Sequence, residues 1–254
     1  MLMVIDVGNT NTVLGVYRGE DLLHHWRLMT ERERTADEWG VLIRTLFNLG
    51  EIPNESVSGV VISSVVPPAR PALDEMAVRY FGIQPLFVEA TMDLGMPVRY
   101  MPPGDVGADR IVNGIAAYTA FGGPVIVVDF GTATTFDLVS AHGEYLGGVI
   151  APGIGVSAEA LFLRAARLPR IEIRQPPKVI GDTTVGSMQS GLYWGYAGLV
   201  DGVLRRMKAE AEDPYVVSTG GLAELIFPAC EEIDSVEKNL TLEGMRLIYR
   251  RLKS

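Results

Sequence analysis

Two short segments carry the residues best suited to chemistry. Asp6-Val7-Gly8-Asn9-Thr10-Asn11-Thr12-Val13 and Asp129-Phe130-Gly131-Thr132-Ala133-Thr134-Thr135 each set a carboxylate at the end of an apolar run and follow it with glycine, hydroxyl and amide residues. Small residues in such a turn leave backbone N–H groups and hydroxyls directed outward, a cradle for phosphate oxygens, while the carboxylate can hold a metal ion or its waters. Either segment alone also reads as a plain β-turn, because Asp, Gly and Asn populate turns everywhere. Duplication favours chemistry: aligned on their aspartates, the segments lie 123 residues apart, close to half of the 254-residue chain. Two phosphate-facing turns on opposite walls of a cleft suit a nucleoside triphosphate.

Other phosphate binders are excluded by counting. The only lysines are Lys178, Lys208, Lys238 and Lys253, and none follows a glycine, so no Walker A loop exists. Gly147-Gly148 and Gly153-x-Gly155 follow a hairpin and lack a third glycine in register, which argues against a dinucleotide fingerprint. Thirty-one acidic residues against 22 basic ones give a net charge of −9, wrong for a polyanion partner, so nucleic acid is not expected. The single cysteine, Cys230, matches no zinc spacing and reads as a core thiol in a reducing compartment. His24, His25 and His142 have no partner at metal-ligand spacing and read as surface or edge residues. The opening Met1-Leu2-Met3-Val4-Ile5-Asp6 has no basic leader character, and no run reaches the roughly 18 apolar residues of a membrane span. A soluble, cytoplasmic protein with no membrane partner is expected.

The elements that must position the two turns repeat with them. In each copy a β-prone run leads into the Asp turn, and a second run ends at Arg18-Gly19-Glu20-Asp21 or Ala141-His142-Gly143-Glu144. Apolar residues then resume at Leu22-Leu23 and Tyr145-Leu146, the signature of a hairpin. A helical pattern at 35–49 precedes a strand at 59–66; patterns at 156–167 and 184–211 precede a strand at 215–219. Alternating strands and helices give an α/β class, predicted as two duplicated domains around a cleft. Residues 1–115 form the first, with the first turn, and residues 116–254 the second, with the second turn and Ser218-Thr219-Gly220-Gly221. The stretch 242–253 is helical with a basic end, Arg250, Arg251 and Lys253, matched to the negative end of a helix dipole. Gly191, Gly195, Gly198 and Gly202 share one helical face. Each costs about 1 kcal/mol relative to alanine, so something must pack close to that backbone, either another element of this chain or a second subunit.

The paired Asp-x-Gly turns and the late Ser218-Thr219-Gly220-Gly221 turn resemble the actin and hexokinase superfamily of ATP-handling proteins. More closely, Asp6 to Val13, Gly107-Ala108-Asp109-Arg110 and Asp129 to Thr134 resemble type III pantothenate kinase. The likeness extends through Gly147-Gly148, Pro152-Gly153, the 183–187 stretch and Ser218 to Gly221, so it runs along almost the whole chain. It implies ribonuclease H-like, actin-like ATPase domains and an enzyme that uses ATP to convert pantothenate to 4'-phosphopantothenate, the first step of coenzyme A biosynthesis. It also implies a homodimer that depends on a monovalent cation, potassium or ammonium. By the same resemblance, Asp6, Val7, Gly8, Asn9, Thr10, Asn11, Thr12 and Val13 hold ATP, with Asp6 near magnesium, and Thr132 touches ATP from the facing turn. Tyr100, Gly107, Ala108, Asp109, Arg110 and Thr184 line the pantothenate pocket, Asp109 is the catalytic base, and Asp129 holds the monovalent cation.

Bland readings stand beside two of these. Asp109 precedes a helical pattern and reads equally as an N-cap, with Asp105 a rival for either role, although the neighbouring Arg110 suits a base that works beside developing negative charge. Asp129 reads also as a strand-end turn residue. Two other functions remain open at this stage: a kinase for another small hydroxylated substrate, and a non-catalytic regulator, since relatives of this kinase include accessory factors for gene expression.

Overall fold

β1 (Leu2–Val7) buries Met3, Val4, Ile5 and Val7, and a strand buried on both faces belongs in the middle of a sheet. It pairs antiparallel with β2 (Asn11–Arg18), which pairs antiparallel with β3 (Asp21–Met29). On its other side β1 runs parallel to β4 (Gly59–Ser64), and β4 to the short β5 (Leu86–Phe87), giving the order β3-β2-β1-β4-β5. The parallel step needs a crossover, supplied by α1 (Ala36–Leu49). Thr35 caps α1 in a capping box: its hydroxyl accepts from the Glu38 amide at 3.3 Å while the Glu38 carboxylate accepts from the Thr35 amide at 2.8 Å. Ala36, Trp39, Ile43 and Phe47 recur at helical spacing and meet Met3, Ile5, Val16 and Ile62 in one core, joined by Leu73 and Met76 of α2 (Arg70–Phe81).

The computed structural model describes residues 1–253, which divide into two compact units. The first holds Met1–Ala116 together with the residues from Thr241 onward, and the second holds Ala117–Leu240. This corrects the division at 115/116 with everything after it in the second domain: α7 (Leu240–Lys253) packs on the first unit. Glycines mark where it seats. A Cβ on Gly244 would overlap the Val112 carbonyl oxygen in α3 (Ala108–Phe121), and one on Gly59 would overlap the Tyr249 hydroxyl. Thr241 also donates from its hydroxyl to Asn113 Oδ1 at 2.7 Å.

The second unit repeats the first sheet. β6 (Val125–Phe130), β7 (Ala133–Val139) and β8 (Tyr145–Pro152) form the antiparallel set. β9 (Tyr215–Thr219) lies parallel to β6, and β10 (Ser235–Val236) parallel to β9, giving β8-β7-β6-β9-β10. α4 (Ile154–Arg164) and the 27-residue α5 (Thr184–Glu210) form the crossover, and α6 (Ala223–Ile226) is a single turn after β9. Leu192, Tyr193, Tyr196, Val200 and Leu204 of α5 pack on Ile126, Val128 and Val216. The two hairpins, α1 and α5 therefore fall where periodicity and turn residues put them, whereas α2 has no counterpart in the sequence reading. Among the described residues, no helix is long and apolar enough to cross a membrane.

Cys230 sits half-buried at the edge of this second core, as the sequence implied. Burial, with the nearby Asp201 carboxylate, pushes its thiol up to about 12 from the ordinary 9.0. Two outcomes are expected. Alkylation by iodoacetamide at pH 8 is far slower in the folded protein than in denaturant, because the thiolate is the reactive form. The folded state also binds this proton more tightly than the unfolded state, so its contribution to stability is complete below about pH 9 and is lost between pH 9 and 12. Cys230→Ser removes that loss, as urea melts at pH 8 and pH 10.5 would show.

Candidate active site

The first turn is built by the β1–β2 hairpin. Val7 and Thr12 are the last paired residues, so Gly8, Asn9, Thr10 and Asn11 make the connection, closed by the Gly8 amide donating to Asn11 O at 3.0 Å. Asn9, Thr10 and Asn11 are exposed, whereas Thr12 is fully buried. Asp6 lies just before the turn, half-buried, opposite Ser63 of β4 in the parallel ladder.

The second turn is one residue shorter. Phe130 pairs with Thr134, leaving Gly131, Thr132 and Ala133, and the Gly131 amide donates to Ala133 O at 3.0 Å. This changes the register of the repeat: an ungapped alignment on the aspartates matches Thr12 to Thr135, but the structure matches Thr12 to Thr134, and both are fully buried. Thr10 thereby corresponds to Thr132. Each accepts at its carbonyl from the residue that follows the third strand of its sheet, Thr30 at 3.0 Å and Gly153 at 3.1 Å. Asp129, half-buried like Asp6, lies opposite Thr219 of β9. Gly220, at φ +95°, brings its backbone so near that a Cβ would stand 2.5 Å from Asp129 Oδ1. The Ser218 to Gly221 turn thus closes on the second aspartate.

Asp109 is the second residue of α3, not its N-cap, and its Oδ1 accepts from the Arg110 amide at 2.9 Å. The carboxylate folds back over Gly107, where a Cβ would lie 2.5 Å from Oδ1, so the residue at 107 has to be glycine for Asp109 to take this position. The same built Cβ stands 3.8 Å from Val65 Cγ1, and the Val65 amide donates to Val7 O at 3.1 Å. These contacts bring Gly107 to Arg110 to the carboxyl ends of β1 and β4, beside the first turn, where open α/β sheets bind ligands. Ala108 and Asp109 are half-buried and Arg110 is 8% exposed. Asp105 lies exposed in a short 3-10 turn, Pro103–Asp105. Tyr100 is half-buried in the irregular segment that leads to that turn.

Thr184 belongs to the second unit. It is the exposed first residue of α5, whose cap is Thr183, with the Gly186 amide donating to the Thr183 hydroxyl at 3.0 Å. It opens into a cavity of about 750 Å³ lined by Leu161, Leu168, Asp182, Ser187, Met188 and Gly191, to which no residue of the second turn contributes. No cluster of three or more His, Cys, Asp or Glu side chains suited to a metal occurs among the described residues. Thr30 and Gly153 were missed by the sequence reading as supports of the two turns; the available signal was a residue directly after the third strand of each repeat.

Two five-stranded sheets of identical order, each with an Asp-x-Gly hairpin turn after its first strand, make up an α/β fold shared with solved sugar kinases. A polyphosphate/ATP-glucomannokinase from Arthrobacter sp. strain KM matches with a TM-score of 0.53 at 16% identity, covering 100% of this chain and 99% of that one. An activator of 2-hydroxyisocaproyl-CoA dehydratase from Clostridium difficile, solved with bound ADPNP, matches at 0.59 and 11%, covering 99% and 97%. At such identities the likeness concerns the fold alone. Sequence goes further: the type III pantothenate kinase pattern matches residues 2–206, and a type III pantothenate kinase of Koribacter versatilis is 55% identical over 100% of this chain and 97% of its own length. The chain belongs to the type III pantothenate kinase family.

Proposed function

We infer that this chain is an ATP-dependent pantothenate kinase, transferring the γ-phosphoryl group to the terminal hydroxyl of pantothenate in the opening step of coenzyme A biosynthesis. The observation that carries this reading is the 55% identity to a type III pantothenate kinase along the whole chain. Residues Asp6 to Val13 take the ATP phosphates, and Thr132 of the second turn reaches the same nucleotide. A lone carboxylate such as Asp6 beside a phosphate-holding turn fits magnesium, which is held by one or two carboxylates plus phosphate oxygens and waters. The ion supplies charge neutralisation on the transferred group. Asp129, backed by Gly220, fits a monovalent cation, potassium or ammonium, in the same way.

Tyr100, Gly107, Ala108, Arg110 and Thr184 contact pantothenate. Asp109 accepts the hydroxyl proton as the alcohol oxygen bonds to the γ-phosphorus and the bond to the bridging oxygen breaks, with ADP leaving. Because phosphoryl transfer is loose at its transition state, positioning and charge neutralisation, the latter helped by Arg110, supply most of the rate.

The protein works as a homodimer. Support comes from the glycine face of α5: among the described residues nothing lies within 4 Å of a Cβ built on Gly191, Gly195 or Gly198, and one built on Gly202 meets only the Arg206 guanidinium of the same helix at 3.7 Å. Exposed apolar residues lie on the same helix and on the edge strand β8, Trp194 and Ile150 among them. With Thr184 at the start of this helix, the pantothenate pocket draws residues from both subunits. Gly195→Leu is expected to shift the protein from dimer to monomer in sedimentation at micromolar concentration without unfolding it, since leucine is a better helix former than glycine. An unaltered dimer would take the stripe out of the interface. The net charge of −9 supports the reading that nucleic acid is no partner, and our reading is of a cytoplasmic enzyme without a membrane partner.

The test is coupled ATP turnover with and without pantothenate, first in potassium and then in sodium. Pantothenate-dependent turnover that falls in sodium supports substrate and cation together. ATP binding without pantothenate stimulation leaves another hydroxylated substrate or a regulatory role; equal rates in both salts remove Asp129 as a potassium ligand.

A further inference from the structure

The two phosphate turns share a scaffold but are secured differently. Thr30 and Gly153 hold equivalent positions, each donating its amide to the middle of its turn. Only Thr30 adds a side chain. Its hydroxyl donates to Gly8 O at 2.8 Å and lies 2.9 Å from the Thr12 hydroxyl. The Gly8 carbonyl can only accept, so the single Thr30 proton goes there and Thr12 must donate to Thr30. One residue thus ties down both ends of the Gly8 to Asn11 connection and its middle. At the equivalent place beside the second turn Gly153 carries no hydroxyl, and Thr134 Oγ1, the counterpart of Thr12 Oγ1, is buried without a hydrogen-bond partner among the described residues.

We propose that Thr30 is the positioning residue of the first phosphate turn, its hydroxyl fixing the Gly8 carbonyl and its amide the Thr10 carbonyl, so that the peptides between them stay in the orientation that receives the phosphates of ATP. The proposal rests on the reading of residues 6–13 as an ATP turn. Thr30 does not touch the reacting atoms; it acts through the peptides it holds. Preorganised amides bind phosphate without the cost of ordering them at the moment of binding. Loss of the hydroxyl leaves Gly8 O and Thr12 Oγ1 without their partner, and the turn can then relax to other conformations.

Thr30→Val keeps the shape and removes the hydroxyl, whereas Thr30→Ser keeps the hydroxyl. Steady-state kinetics of the full-length enzyme are expected to show KM for ATP raised about tenfold in Thr30→Val, the scale of one or two lost hydrogen bonds. KM for pantothenate stays within twofold, and Thr30→Ser returns KM for ATP to within threefold of wild type. A lowered melting temperature with unchanged KM for ATP, or a serine variant as impaired as valine, overturns the proposal and leaves Thr30 a purely structural residue. Amide hydrogen exchange separates this failure from failure of the ATP-turn reading. Saturating ATP is expected to protect the peptide covering residues 8–12 in wild type, and to protect it less in Thr30→Val. Equal protection in both proteins defeats the proposal alone, and no protection in wild type defeats the ATP-turn reading and the proposal with it.

Discussion

Asp109→Asn is expected to lower pantothenate-dependent turnover by about 10³-fold, within the range general-base removal produces, while ATP affinity changes less than threefold. Asparagine is isosteric and its Oδ1 can still accept from the Arg110 amide, the 2.9 Å bond that Asp109 makes. The first turn of α3 therefore keeps its form, and Gly107 still meets a side chain of the same shape. What is lost is the charge and with it, in the proposed role, the capacity to take the alcohol proton. Phosphoryl transfer leans more on positioning than on the base, so residual turnover well above background is expected. Turnover equal to wild type would show that Asp109 merely orders the helix start, and the base would have to be sought elsewhere.

Gly153→Ala is expected to do comparable damage by a different route. A Cβ at this position would overlap the Thr132 carbonyl oxygen and stand 2.6 Å from Gly131 O, and both are backbone atoms with no rotamer to escape into. Either the second turn moves or β8 pulls away from β7, breaking the 3.1 Å bond from the Gly153 amide to Thr132 O. Overpacking of this kind costs on the order of 1–3 kcal/mol. The expected result is a lower melting temperature together with a rise in KM for ATP of tenfold or more. Gly155→Ala, two residues on with nothing within 4 Å, is the control and should behave as wild type. If both substitutions are silent, the second turn tolerates displacement and does not position the nucleotide.

The reach of the sequence ended at different points for different features. Both Asp-x-Gly hairpins were legible because turn residues and strand periodicity are local signals, and α1 and α5 because their buried residues recur at helical spacing. The equivalence of Thr12 and Thr134 was not: the second turn is one residue shorter, and only the ladder pairing reveals where the offset falls. Thr30 escaped notice since a single threonine after a strand forms no pattern; its meaning lies in a carbonyl 22 residues earlier. The 242–253 helix was readable as a helix, but its partner was not, because docking on Val112 and Gly59 is set by shape across more than a hundred residues.

That docking also bears on how the protein is made. Translation proceeds from the N-terminal side, so every strand of the first sheet is made before α7. Until Gly244 can seat on α3 and Tyr249 on Gly59, the sheet lacks the Leu242 side chain, which stands 3.1 Å from a Cβ built on Gly15 beside Val4. The second unit, contiguous from Ala117 to Leu240, is complete while the first still waits. Order of synthesis and order of completion therefore differ: the unit whose strands are made first closes only when the last helix of the chain docks on it.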